Sequence, residues 1–180
     1  MKRNYLLRLL EEYNPQDLQE QEYKQRIVEF VQTEPECFER SLAKGHITAS
    51  AWLVNKTRTH ALLMHHRKLN LWVQLGGHCD GDAHVLAVAV KEAQEESGVM
   101  GIEPLSTVIF DVDVHLIPAN SKEAAHYHYD IRFLLGVHSD EQLVQNPESK
   151  ELRWISKNLQ DLPTAERSVV RMHEKWRGSL

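Results

Sequence analysis

The chain has 180 residues, 42% of them hydrophobic, with 21 lysines and arginines against 26 aspartates and glutamates and a formal net charge of −5. That length and apolar fraction suit one globular unit with a sizeable core. The acidic balance argues against a general nucleic-acid binder, which would carry a basic face, while leaving room for one nucleotide in a local basic pocket.

The first residues, MKRNYLLRLLEEY, mix bases with leucines. Arg8 breaks the apolar run and Glu11 and Glu12 end it, so neither a secretory signal nor a membrane span is expected. Tyr5, Leu6, Leu9 and Leu10 recur at helical spacing, as do Tyr23, Ile27, Phe30 and Val31. Asn14-Pro15 separates the two predicted helices, and Glu34-Pro35 ends the second. Residues 1–40 therefore read as a helical extension packed on the unit formed by 41–180. An amphipathic pair of this kind can equally be a homodimer contact, and the residues leave both readings open. The only cysteines are Cys37 and Cys79. Two thiols make no disulfide framework, and a reduced, cytoplasmic setting is the expectation.

Ile47 to Val54 and His60 to His65 are strand-like, with Asn55-Lys56-Thr57 as the turn. His65, His66, Arg67 and Lys68 then form a basic stretch just before Trp72. Phosphate or base contact and an ordinary exposed turn are equal readings of it.

The most informative stretch follows, LGGHCDGDAHVLAVAVKEAQEESGV. Asp82 stands where a helix N-cap would, Ala83 to Ser97 reads as helix, and Gly98 fits the position just past its end. The β-branched Val85, Val88 and Val90 favour a strand by propensity alone. The helix reading rests on the spacing of Glu92, Glu95 and Glu96, which places three carboxylates in one sector about 100° wide. Like charges so spaced oppose each other by roughly 0.2–0.5 kcal/mol per pair. A divalent cation makes sense of them, and hard oxygen ligands suit Mg2+, or Mn2+. The glycine pair, Gly76 and Gly77, lies one helix-length upstream, where a backbone carbonyl can reach the same ion.

This segment resembles the signature of the Nudix hydrolases, in which a glycine, a glutamate and then Arg-Glu-aliphatic-x-Glu-Glu-x-Gly-aliphatic recur at fixed spacing. Gly77 takes the first glycine, and Lys91-Glu92-Ala93-Gln94-Glu95-Glu96-Ser97-Gly98-Val99 takes the second half. Ala83 sits where the family has its first glutamate, and Lys91 where it has arginine. The resemblance implies an α/β fold, a Nudix-type α/β/α sandwich with a mixed central sheet, here with the N-terminal helices added. It implies metal ligation by Gly77, Glu92, Glu95 and Glu96, with Glu95 or Glu96 as catalytic base. The two departures weaken support for the site without removing a ligand, and Asp80 or Asp82 is placed to pair with Lys91 in compensation. The basic turn and tryptophan before the glycines also look like the family, which marks His65, Arg67, Lys68 and Trp72 as substrate contacts.

After the helix, Thr107 to Ile117 and His126 to Leu135 alternate with strand period. Pro118, Asn120 and Ser121 are the turn residues between them. Antiparallel pairing about that loop puts Asp111, Asp113 and His115 on one polar face with His126, His128 and Asp130. The register assumed sets His115 against His126, Asp113 against His128 and Asp111 against Asp130. Such a face is either solvated or a site; as a site, His115, His126, His128 and Asp130 contact substrate, supply a base, or hold a second metal softer than magnesium. Glu151 to Ile155 is a strand, Ser156 to Leu162 a turn with a short helical piece, and Thr164 caps a last helix with Val169, Val170, Met172 and Trp176 as its apolar side.

The activity implied by the resemblance is metal-dependent hydrolysis of the diphosphate linkage of a nucleoside diphosphate joined to another moiety. The partner is then a nucleotide-like small molecule, not a membrane. Two alternatives stand beside it. One is a catalytically weak nucleotide-binding or regulatory module, favoured by Ala83. The other is an isomerase of allylic diphosphates, for which Cys79 is a slight pointer.

Overall fold

The computed structural model describes residues 2–119 and 124–179. The sequence turns at Asn14-Pro15, and the chain forms α1 (Arg3–Glu12) and α2 (Leu18–Thr33) on either side of it. Asp17 caps α2 by accepting the Glu20 backbone N–H at 2.8 Å, which satisfies an otherwise orphaned donor. Leu6, Leu9 and Leu10 of α1 and Ile27, Phe30 and Val31 of α2 are buried together with sheet residues in one apolar cluster. The apolar stripe of both helices is thus consumed against this chain's own sheet.

Among the described residues, eight strands make one curled mixed sheet: β1 (Gly45–Val54), β2 (His60–His66), β3 (Leu71–Val73), β4 (Leu75–His78), β5 (Ile102–Pro104), β6 (Asp111–Ile117), β7 (His126–Val137) and β8 (Ser149–Ser156). The order runs β3-β2-β1-β7-β5, with β4 on β1, β6 on β7 and β8 on β2. β1 and β7 run parallel; the other pairs are antiparallel. Two helices complete the layers: α3 (Val85–Ser97) and α4 (Arg167–Ser179), the latter preceded by a single 3-10 turn, Leu159–Asp161. The odd-numbered residues of β1 and β7, such as Ile47, Ala49, Ala51, Ile131 and Phe133, pack under α1, α2 and α3. Trp52, Val54 and Leu134 on the other face pack under Val169, Met172 and Trp176 of α4. The architecture is the α/β/α sandwich with a mixed sheet that the resemblance implies. Among the described residues no helix is long and apolar enough to cross a membrane.

The structure corrects several boundaries. α3 begins at Val85, two residues after the expected start, and its N-cap position is His84. Asp82 instead accepts the His84 N–H at 2.8 Å, fixing the turn before the helix. Helix prevails over the β-branched propensity of its first turns because Val85, Val88, Ala89 and Ala93 form a buried stripe at helical spacing. Gly98 closes α3 with φ 75°, a left-handed conformation that glycine adopts without penalty.

Only Asp111 to Ile117 of the segment Thr107 to Ile117 pairs as a strand, and β5, which the alternation did not mark, pairs with the end of β7. The register of β6 on β7 differs by two residues from that assumed: His115 faces His128, Asp113 faces Asp130 and Asp111 faces Arg132. The faces match the expectation, because a slip of two preserves side-chain parity. The expected turn residues Asn120 and Ser121 lie outside the described residues. Thr164 accepts the Glu166 N–H at 3.1 Å, but α4 starts only at Arg167.

The largest departure concerns polarity. Asp111, Asp113, Asp130 and Arg132 are buried rather than solvated, and so are Arg171 and Lys175 on the inner side of α4. Arg171 forks onto Asp111 with bonds of 2.9 and 2.8 Å. Arg132 reaches Asp111 at 3.0 Å, Asp113 at 3.3 Å and Asp130 at 2.7 Å. Lys175 bridges Asp111 and Glu20 of α2, both at 2.7 Å. This ion network ties α2 and α4 to the sheet. Burial alone would raise the Asp111 carboxyl, but Arg171, Arg132 and Lys175 outweigh it and hold the group below the usual carboxylate range. Asp113 is lowered in the same way, chiefly by Arg132 against burial.

Candidate functional site

The buried stripe of α3 sets the helix against β1 and β4 and turns Glu92 and Glu96 toward the glycine strand. Glu96, 6% exposed, accepts the Gly76 backbone N–H at 2.8 Å. A Cβ on Gly77 would lie 2.5 Å from Oε2 of Glu92, so a glycine is what lets backbone and carboxylate approach. Burial pushes the Glu96 carboxyl up to about 8; the Gly76 N–H opposes this, and the charges of Glu92, Glu148 and Glu95 add to it. Burial also raises Glu92, with the Lys91 ammonium opposing. Glu95 is exposed.

Lys91 extends into solvent, with Nζ 3.4 Å from Glu95 and 3.7 Å from Glu92. The expected pairing with Asp80 or Asp82 is not what forms. Asp80 is held by Arg40 at 2.9 Å, and Asp82 by the turn before α3. Lys91 instead acts on the glutamates directly, through contacts that solvent screens. Ala83 is buried in the apolar cluster.

The chemistry of this donor set fits a divalent cation. Two desolvated carboxylates face a glycine backbone, the charge of Glu92 adds to the proton affinity of Glu96, and one exposed lysine stands beside Glu92. Carboxylate and carbonyl oxygens without sulfur or nitrogen suit magnesium or manganese. Glu148, in the loop before β8, is a further carboxylate that the sequence reading missed. Its charge acts on Glu96, and its backbone carbonyl accepts the Arg67 N–H at 2.7 Å. No periodicity in that loop could have marked it.

The structure gives the basic turn a mixed role. Arg67 donates to the carbonyls of Pro147 and Ser149 at 3.0 and 2.8 Å, which pins the β2–β3 hairpin to the Glu148 loop. Trp72 is layered between His65, whose ring centroid is 5.0 Å away and nearly parallel, and the Arg153 guanidinium at 4.6 Å. Lys68 is exposed at the hairpin tip.

The polar face of β6 and β7 is brought together, but on the side of the sheet away from α3. Asp130 accepts from Thr48 at 2.9 Å, Ser50 at 2.8 Å, Gln74 at 3.2 Å and Arg132 at 2.7 Å, so its oxygens belong to the ion network. His115 donates from Nδ1 to Asp113 at 2.9 Å, and His126 from Nδ1 to the Ala124 carbonyl at 2.9 Å. His128 stands among His46, His78, His115 and His126, with ring centroids 4.7, 5.2, 5.5 and 5.2 Å away. Burial, and then the neighbouring imidazoles, push His128 down to about 2, so it is neutral throughout the physiological range. His46 and His78 escaped the sequence reading because they come from separate strands that only the topology joins. The two cysteines are free and buried, and burial raises both thiols. Cys79 is therefore a poor nucleophile, which removes the pointer toward isomerase chemistry.

A family model described as NUDIX domain matches residues 44–172. A search of curated proteins finds no match. Among solved structures, a NUDIX-family hydrolase from Clostridium perfringens superposes with a TM-score of 0.54 at 22% identity, over 73% of this chain and 95% of that one. A MutT NUDIX hydrolase from Burkholderia pseudomallei gives 0.55 at 21%, over 73% and 97%. A C. elegans Ap4A hydrolase binary complex gives 0.50 at 14%, over 73% and 95%. These likenesses establish the fold.

Proposed function

The chain belongs to the Nudix hydrolases, pyrophosphohydrolases of nucleoside diphosphate derivatives, and on that premise we propose that it cleaves a nucleotide-like substrate with Mg2+ held by Glu92, Glu95, Glu96 and the Gly77 carbonyl. The observation that carries the reading is Glu96. It is a buried carboxylate oriented by the Gly76 N–H, beside Glu92 on the glycine strand, with a proton affinity raised by burial and by its acidic neighbours. Such a pair is unfavourable by itself and becomes favourable when a cation neutralises it.

The bound ion supplies polarisation of a phosphoryl oxygen and compensation of the diphosphate leaving charge. The chain's own groups do the rest. Gly76 fixes the Glu96 carboxylate by one backbone bond, and the missing Cβ at Gly77 leaves Glu92 against the backbone. Glu95 and Glu96 are the candidates to take the proton of the attacking water: Glu95 for its exposure, Glu96 for a pKa near the working pH. The exposed Lys68, on the hairpin that Arg67 pins to the Glu148 loop, is offered as a substrate contact, whereas Trp72 packs on the α4 side of the sheet, away from the glutamates. The free cysteines support a cytoplasmic setting.

The test is incubation with a panel of nucleoside diphosphate compounds and an allylic diphosphate, with Mg2+, comparing wild type with Glu96→Gln. The expected result is diphosphate cleavage by the wild type, reduced at least about 100-fold in a folded Glu96→Gln variant. Equal rates in the two proteins would overturn the assignment. Binding without cleavage by the wild type would support the regulatory-module reading that Ala83 favours, and a rearranged allylic diphosphate would support the isomerase.

A further inference from the structure

The imidazole cluster has no part in the glutamate chemistry, and its geometry is specific. His46 lies on β1, His128 faces it in parallel register on β7, and His78 ends β4 on the other side of β1. Strand parity points all three side chains to the face away from α3. Among the described residues, these three are the one set of potential metal-ligating side chains whose ligand atoms all lie within 4.8 Å of one another. The set is buried or half-buried, and Nε2 of His128 is buried with no hydrogen-bond partner among the described residues.

We propose that His46, His78 and His128 form a binding site for a first-row transition-metal ion of the zinc class, separate from the glutamate site of α3.

Three arguments support it. The first is donor chemistry. Imidazoles without a carboxylate among them suit zinc, cobalt, nickel or copper, and do not suit magnesium or calcium. Three nitrogens also leave a position open, as in zinc sites that keep an exchangeable ligand. The second is proximity. The three ligand atoms already lie within 4.8 Å of one another, and an ion at bonds of about 2.0–2.1 Å would draw them together. Packing three aromatic rings against one another would not require their nitrogens to converge.

The third is the surrounding shell. His115 and His126 each use Nδ1 as a donor, to the Asp113 carboxylate and the Ala124 carbonyl. This leaves the lone pair on Nε2, as a carboxylate or backbone oxygen does behind a ligating histidine. Both rings touch His128, so either can supply the further ligand. Arg40 stands at the edge of the cluster, with its guanidinium on Nδ1 of His78 and its other side on Asp80. Its side chain is 56% exposed, so it can swing out to admit an ion.

The experiment uses the full chain, stripped with a chelator and titrated with Co2+, read by visible absorption and by calorimetry with competing Zn2+. With excess Mg2+ present to occupy the glutamates, the expected result is one equivalent bound, with ligand-field bands of a nitrogen site, no thiolate charge-transfer band, and displacement by Zn2+. His128→Ala and His78→Gln should each weaken binding at least about 100-fold, while Glu96→Gln should leave it within about threefold. Thermal unfolding of each variant shows that it is folded; His78 is half-buried, so His78→Gln keeps the test decisive if His128→Ala does not fold. Weak, non-stoichiometric binding unchanged by His128→Ala or His78→Gln would overturn the proposal. So would binding lost in Glu96→Gln, or a thiolate band implicating Cys37 or Cys79. None of these outcomes bears on whether the glutamates support hydrolysis.

Discussion

Two groups of three carboxylates sit on opposite sides of the sheet, and the environments push two members of each in opposite directions. Asp111, Asp113 and Asp130 lie beneath α4 with Arg132, Arg171 and Lys175 placed among them, and Asp111 and Asp113 are lowered. Glu92, Glu95 and Glu96 lie on α3 with one exposed lysine beside them, and Glu92 and Glu96 are raised. Burial acts the same way on these four. The difference is the supply of positive charge from within the chain. The aspartates are balanced by the protein itself and hold helices to the sheet; the glutamates are left short of a cation, which is what a binding site for one requires.

The comparison can be broken first on the aspartate side. Asp111→Ala removes from the buried Arg171 and Lys175 the carboxylate they share, leaving Lys175 with Glu20 and Arg171 with Asp113. It should destabilise the fold by about 3–5 kcal/mol, measured by denaturant unfolding. A loss below about 1 kcal/mol would show that the network is not what holds α4 down.

Linkage on the glutamate side is expected to be smaller and opposite in sign. Glu96 is raised in the folded state, so its contribution to stability is present below the unfolded value near 4.5 and is lost as pH rises through about 8. In chelator the melting temperature should carry a falling component over that window, absent from Glu96→Gln. Mg2+ should bind up to about tenfold more tightly per pH unit over the same window as the competing proton leaves, and stabilise more at pH 8 than at pH 6. His128 works against this trend below neutrality. Its depressed pKa withdraws stability as pH falls through about 6.5, so the difference between wild type and Glu96→Gln isolates the glutamate.

Gly77→Ala should have the mildest effect on the fold. The added methyl meets the flexible end of Glu92, so stability changes little while Mg2+ affinity falls about tenfold. Calorimetry and thermal unfolding on the same sample separate the two.

Much of this was legible in the sequence. The glutamate spacing and Gly98 located α3 against the β-branched propensity of its first turns, and alternation located β1, β2, β7 and most of β6. The ion network was not legible. A period of 3.6 assigns Arg171 and Lys175 to solvent because charge is its criterion for an outer face, and only tertiary pairing with Asp111 reverses that. The register of β6 on β7 was not legible either, since a slip of two keeps every side chain on its face and a long loop does not choose. β5 is three residues long and carries Pro104, a composition that marks an edge strand only after its partner is known. The imidazole cluster required β1, β4 and β7 to be neighbours, which alternation within one strand cannot reveal.

The most direct test of the contrast is paramagnetic broadening by Mn2+ in an amide NMR spectrum of the isotopically labelled full chain. Sub-stoichiometric Mn2+ should first broaden the signals of Gly76, Gly77, Glu92 and Glu96, and Mg2+ should reverse the effect, while those of Asp111, Asp113 and Asp130 persist. Broadening that begins at the aspartates, or that spreads without preference over all acidic residues, would contradict the assignment of the α3 glutamates as the cation site.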